Sequence, residues 1–123
     1  MQLLLVDDDP IVLKVLSTLF KHAGCEYATA SSAKQALDIC EQRLFGLVIS
    51  DLNMPDMDGV ELARQMRVQH PDIPLFAFTG SSGDNLMAEA KGVFDRVFVK
   101  PDDYSRLVSE STRILKEKEA VAV

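Results

Sequence analysis

Five short runs of apolar, β-favouring residues alternate with stretches of helical period along this chain, and no Gly/Ser-rich or Pro-rich linker interrupts them. Such alternation commits a chain to parallel strands joined by crossover helices, because parallel neighbours cannot be linked by a tight turn. The first run, residues 3–6, is Leu-Leu-Leu-Val without a polar break. A strand apolar on both faces is one covered by helices on both sides. With 123 residues, 47% of them hydrophobic, the chain can build one packed core without disulfides, so a single domain over residues 1–123 is expected.

Local signals place the elements. Asp9 stands as a cap and Pro10 opens the first helix, where its missing N–H costs nothing; the helix is expected to reach about residue 23, with Gly24 ending it. A weaker strand over residues 26–30 leads to the caps Ser31 and Ser32, after which Ala33, Ala36, Leu37 and Cys40 repeat at helical spacing. Leu47-Val48-Ile49 reads as the third strand, and Val60, Leu62, Ala63 and Met66 as the third helix, with Asp58 as its cap and Asp56 as a turn residue. A fourth strand is expected over residues 75–78, then a small-residue loop through residue 83 and a short helix over about residues 84–90. Val97-Phe98-Val99 forms the last strand, Tyr104, Leu107, Val108 and Leu115 mark the last helix, and residues 116–123 are expected to fray.

Charge and composition exclude several functions. At a net charge of −6 the chain repels a phosphate backbone or an anionic membrane, so direct nucleic-acid binding and membrane association are not expected. The opening MQLLLVDDD meets acid after a short apolar run, which fits neither a signal peptide nor a membrane span. Cys25 and Cys40 lack partners at metal spacing and read as reduced thiols, which points to a cytoplasmic protein. His22 and His70 read as surface residues, and the segment from Asp51 to Asp58 is no EF-hand loop, since Pro55 takes the fifth place and the sixth lacks Gly.

In a right-handed βαβ series every strand ends on the same sheet edge, and ligands bind there. Asp7 and Asp8 follow the first strand, Asp51 the third, Thr79 the fourth and Lys100 the fifth. Singly, each has an ordinary explanation: aspartates end strands because they favour turns and caps, and a lysine at a strand end is usually solvated. Together they are different. Carboxylates gathered without a cation repel one another, so such groups tend to hold a metal or tune a reaction. All-oxygen ligation with an open side suits Mg²⁺, which shares itself between carboxylates, water and phosphate oxygens. A carboxylate beside such an ion can attack phosphorus to give an acyl phosphate, and Asp51 is placed centrally enough to be that nucleophile. Lys100 and Thr79 then supply a point charge and a hydroxyl donor, and main-chain N–H groups after Asp51 and after Thr79, at Gly80, the remaining contacts.

The runs Leu4-Leu5-Val6-Asp7-Asp8-Asp9, Ser50-Asp51-Leu52-Asn53-Met54-Pro55-Asp56-Met57-Asp58-Gly59, then Thr79 and Val99-Lys100-Pro101, resemble the receiver domain of two-component response regulators over nearly the whole chain. The resemblance implies a flavodoxin-like (βα)5 doubly wound sheet of order 2-1-3-4-5, with helices one and five on one face and two, three and four on the other. It implies Asp51 as phosphoacceptor, Asp8 as a direct Mg²⁺ ligand with Asp7 acting mainly through water, and the Asn53 main-chain carbonyl as a further ligand. Thr79 and Lys100 would contact the phosphoryl group, and the Lys100-Pro101 peptide would be cis. The donor would be a phosphohistidine on a sensor histidine kinase or a histidine phosphotransfer protein, and the signal would pass to an effector domain or protein, from a monomer or a phosphorylation-dependent dimer.

Three departures stand against that pattern. Val97 occupies the place where family members usually carry the aromatic that moves inward on activation, and Phe98 falls on the opposite strand face. Asp102 and Asp103 replace the aromatic often found after Lys-Pro and read as the cap and first turn of the last helix. The segment from Lys91 to Arg96 carries few helix signals, so the output face departs from the usual form. Two other functions compete. A phosphatase or phosphomutase usually has a second acid two residues after its nucleophile, where this chain has Asn53; a docking module without phosphorylation would not need all the acceptor residues. Asn53 and Ser81 flank the site and would govern water access to the phosphate.

Overall fold

The computed structural model describes residues 2–80 and 84–121. The elements are β1 (Leu3–Val6), α1 (Pro10–His22), β2 (Tyr27–Ala30), α2 (Ala33–Gln42), β3 (Leu47–Ser50), α3 (Gly59–Gln69), β4 (Leu75–Thr79), α4 (Asp84–Val93), β5 (Arg96–Val99) and α5 (Tyr104–Val121). All pairings are parallel and the sheet order is β2-β1-β3-β4-β5. The expected doubly wound arrangement is therefore the one formed.

The two-residue period of the strands sorts the core into two layers. Leu4 and Val6 point to one face, with Val48, Ala77, Leu62 and Ala63 of α3 and Ala36 of α2; Leu3 and Leu5 point to the other, with Ile49, Phe76, Phe78, Phe98, Leu16 and Phe20 of α1 and Leu107 of α5. Helices α1 and α5 cover one side and α2, α3 and α4 the other, and both layers exclude solvent. Phe98 is buried in the α1–α5 layer while half-buried Val97 packs against the opposite layer, as the strand period requires.

Boundaries follow the predicted chemistry. The carboxylates of Asp9 and Asp58 and the hydroxyl of Ser32 each accept a first-turn N–H. Gly24, at φ 80°, ends α1: its N–H reaches Lys21 O and the N–H of Cys25 reaches Phe20 O, the paired bonds of a Schellman close. Lys100-Pro101 is cis.

Four expectations are corrected. Helix α5 does not fray at residue 116 but continues through Val121, its exposed side sustained by ion pairs from Arg113 to Glu110 and Glu117. Helix α4 runs to Val93. Asp56 is no mere turn residue: its two carboxylate oxygens accept the N–H groups of Ala33 (3.3 Å) and Lys34 (3.0 Å), tying the segment after β3 to the start of α2. Those bonds, that of Lys34 foremost, hold the Asp56 carboxyl below its ordinary range. His70 is half-buried, with Nε2 enclosed and unbonded among the described residues, whereas His22 is exposed. The loop expected over residues 79–83, Ser81 included, lies mostly outside the described residues.

Cys40 gives the fold a pH signature. Burial in the α2–α4 layer pushes its thiol from 9.0 up to about 11. The folded chain therefore keeps its thiol proton where the unfolded chain has lost it. Stability from this source is intact below about pH 9 and is lost as pH rises toward about 11. The full effect is about 2–3 kcal/mol. Urea titrations between about pH 8 and about pH 11 should show a shallower alkaline decline for Cys40→Ala than for the parent; equal slopes would refute the assignment.

Candidate functional site

The C-terminal ends of β1, β3, β4 and β5 deliver the site. Asp7 leaves β1 with its N–H bonded to Ala30 O of β2 and its Oδ1 accepting the N–H of Asp9 at 2.9 Å, so a buried carboxylate is fixed by backbone on both sides. Asp8, next in the chain, is exposed. Asp51 leaves β3 with its N–H on Val6 O at 3.0 Å and its Oδ1 accepting the N–H of Leu52 at 2.7 Å. Oxygens of Asp7, Asp8 and Asp51 all lie within 4.8 Å of one another.

Opposite them stands Lys100. Its Nζ is 2.7 Å from Asp7 Oδ2 and 3.4 Å from Asp51 Oδ2. Its main-chain N–H donates to the carbonyl of Thr79 at 2.7 Å, so the ends of β4 and β5 are tied at the level of the site. Thr79 is fully buried; Gly80 follows it half-buried, and Asn53 is exposed two residues beyond Asp51. Asp7, Asp8, Asp51 and Lys100 are thus joined by short distances, while Thr79, Gly80 and Asn53 flank them on the same edge.

The electrostatics are those of an acid group kept close by one cation. Burial dominates at Asp7 and raises its pKa, although hydrogen bonds from Lys100 and from the Asp9 N–H pull the other way. For Lys100 burial pulls downward, but Asp7 and Asp51 outweigh it and hold the ammonium charged above its ordinary range. Both directions describe the same pair: enclosure penalises the carboxylate, and the lysine proton is what makes it tolerable.

A divalent cation fits the donor set. Opposite ligands of Mg²⁺ lie about 4 Å apart, close to the present span of the three carboxylates, and hard oxygen donors are what that ion selects.

Sequence reasoning missed one residue that shapes this site. Gly59 begins α3 with its N–H on Leu52 O at 2.8 Å, and an added Cβ would overlap the carbonyl oxygen of Asp51 and sit 2.8 Å from Leu52 Cα. The Asp58-Gly59 pair was legible as a helix start, but not the approach of that helix to the backbone of Asp51 and Leu52.

A five-stranded 2-1-3-4-5 sheet whose carboxylates and lysine meet at one edge defines the receiver class of signalling domain. Residues 3–111 match the family model for the response regulator receiver domain, and the chain belongs to that family. It is 38% identical over 107 residues to the transcriptional regulatory protein GlrR of Escherichia coli, covering 85% of this chain and 24% of that protein. It is 35% identical over 123 residues to the C4-dicarboxylate transport transcriptional regulatory protein DctD of Pseudomonas aeruginosa, covering 98% and 26%. The chain thus spans about a quarter of the length of these relatives. Among solved structures, the signal receiver domain of an HD domain-containing protein from Pseudomonas fluorescens superposes with a TM-score of 0.88 at 29% identity, covering 97% of each chain. The Vibrio cholerae chemotaxis protein CheY4 superposes at 0.83 with 29% identity, covering 92% of this chain and 97% of that one. No helix among the described residues is long and apolar enough to cross a membrane.

The lysine yields a stability prediction. Lys100→Met leaves Asp7 enclosed beside Asp51 without a countercharge, which should cost about 3 kcal/mol in urea unfolding at neutral pH without added divalent ion. Adding Asp7→Asn to that variant should recover most of the loss, because the uncompensated charge is then gone. Additive losses in the double variant would show that the pair is not what the lysine stabilises.

Proposed function

We propose that Asp51 accepts a phosphoryl group from a phosphohistidine on a sensor histidine kinase or histidine phosphotransfer protein, and that the domain relays the change to an effector domain or protein. The observation that carries this reading is the gathering of three carboxylates, one oxygen of each within 4.8 Å of the others, with the Lys100 ammonium on two of them, Asp7 and Asp51. Asp8, Asp51 and the Asn53 carbonyl would hold Mg²⁺ directly, with Asp7 acting mainly through water. When bound, the ion supplies charge neutralisation between the acceptor carboxylate and the incoming phosphoryl oxygens.

The chain's own residues do the rest. An Asp51 oxygen attacks phosphorus, the P–N bond to the donor imidazole breaks, and the ring nitrogen keeps the electron pair; the product is an acyl phosphate. Lys100 neutralises one phosphoryl oxygen, and the Thr79 hydroxyl and the Gly80 N–H donate to others. A domain whose resting form needs Lys100 on Asp7 and Asp51, and whose phosphorylated form needs it on phosphate, has two arrangements that phosphorylation biases. A cytoplasmic location goes with a kinase donor of this kind. GlrR and DctD are transcriptional regulatory proteins, and an effector of that kind is the output this reading favours.

Incubation with Mg²⁺ and a small acyl phosphate should yield one hydroxylamine-labile phosphoryl group per chain, mapping to the peptide that holds Asp51 and absent when the ion is chelated. No uptake, or label elsewhere, refutes the assignment. Sustained release of phosphate from an external ester would transfer the chain to the phosphatase class.

A further inference from the structure

Lys100 is held from a side that the acids do not account for. Its Nζ lies 5.7 Å from the centroid of the Phe78 ring, within cation–π range. The ring of Tyr104 meets Phe78 edge-on, with centroids 4.8 Å apart at 76°. Phe78 precedes Thr79 on β4 and is buried in the α1–α5 layer; Tyr104 is half-buried at the first position of α5. The turn that carries Lys100 is closed on itself: the N–H of Val99 donates to Asp103 Oδ2 and the N–H of Asp103 to the Val99 carbonyl, both at 2.9 Å. Lys100 and Tyr104 therefore sit on one closed turn, and Phe78 is in reach of both side chains.

This places aromatic support opposite the usual side of the sheet. Position 97 carries valine, and the ring in cation–π range of the phosphoryl-contacting lysine is that of Phe78, which packs in the α1–α5 layer and not in the α4 layer. We propose that Phe78 and Tyr104 form an aromatic brace that sets where the Lys100 ammonium rests, making Tyr104 a positioning residue for the reaction and α5 the element that follows the lysine. The proposal rests on the phosphoacceptor reading and adds to it the regulation of the same site. Asp7 is bonded to Lys100 in the resting arrangement and is needed around a divalent ion, so ammonium and ion compete for it. A firm brace strengthens the competitor. The same brace also holds the ammonium ready for the phosphoryl oxygens.

Loosening the brace therefore moves two quantities in opposite directions. Tyr104→Leu should tighten Mg²⁺ binding, read by calorimetry, and slow phosphoryl uptake at saturating Mg²⁺, each by about two- to tenfold, the range expected for the edge-on aromatic contact that the change removes. Tyr104→Phe keeps the ring and should restore both values. Damage to packing alone would weaken both together, so changes of the same sign overturn the proposal, as does a Tyr104→Leu protein indistinguishable from the parent. A second measurement avoids perturbing the brace. The chain has no tryptophan and two tyrosines, so in Tyr27→Phe the emission of Tyr104 stands alone. It should change on adding Mg²⁺ and again on phosphorylation, whose extent is followed independently by intact mass. Full phosphorylation with unchanged emission overturns the brace and leaves the phosphoacceptor reading standing; a parent that takes up no phosphate overturns both.

Discussion

Asp51→Asn is expected to take up no phosphoryl group from any donor while remaining as stable as the parent or about 1 kcal/mol more so. The amide oxygen is uncharged and its electrons are shared with nitrogen, so it cannot attack phosphorus, and neither neighbouring carboxylate is placed to substitute for it. Asp7 is engaged by the Asp9 N–H and by Lys100, and Asp8 lies exposed beside it. The stability follows from what the substitution leaves intact. An amide oxygen still accepts the N–H of Leu52, as Oδ1 does at 2.7 Å, and Lys100 keeps its bond of 2.7 Å to Asp7. One negative charge leaves a group whose oxygens lie within 4.8 Å of one another, and repulsion among them falls. Urea unfolding paired with intact mass after exposure to an acyl phosphate checks both halves. Phosphate incorporated in D51N, or a marked loss of stability, would show that another residue accepts the group or that Asp51 has a structural role.

The same opposition explains which parts of the molecule were legible beforehand. The alternation of runs fixes the strand count and their parallel sense, and parallel strands with right-handed crossovers must end on one edge, so the convergence of Asp7, Asp51 and Lys100 follows from their places in the chain. The family resemblance supplied the strand order, which no periodicity contains. Asp56 shows what stayed hidden. Its partners, Ala33 and Lys34, are 23 and 22 residues away, and an aspartate in a turn carries the same local signal whether its carboxylate faces water or another helix. The extent of α5 was missed for the opposite reason: residues 116–121 lack a strong apolar stripe, yet Lys, Glu and Ala are good helix formers and need little packing to continue. The pairing of Phe78 with Tyr104 joins β4 to α5, and only the folded sheet brings them within reach of Lys100.

Gly59→Ala should damage both folding and phosphoryl transfer. At an ordinary early helix position alanine is favoured over glycine by about 1 kcal/mol, so the sign here depends on space. Helix α3 starts against the acceptor's backbone, where an added methyl would overlap the Asp51 carbonyl oxygen and approach Leu52 Cα to 2.8 Å. Backbone on both sides leaves no flexible side chain to yield; either α3 withdraws or the end of β3 shifts. Overpacking of this kind costs about 1–3 kcal/mol, and more where backbone is the obstacle. A shift of the acceptor by about 1 Å can slow transfer by about a hundredfold, so phosphoryl uptake should fall even at temperatures where the variant is fully folded. Gly92→Ala provides the control: it lies exposed within α4, an added Cβ there meets nothing within 4 Å, and the change should be neutral or stabilising. Thermal unfolding and uptake rates for the two variants separate the contributions. If Gly59→Ala folds and phosphorylates like the parent, α3 does not hold the acceptor in place, and the geometry of Asp51 must be set by its contacts with Val6, Leu52, Ser50 and Lys100.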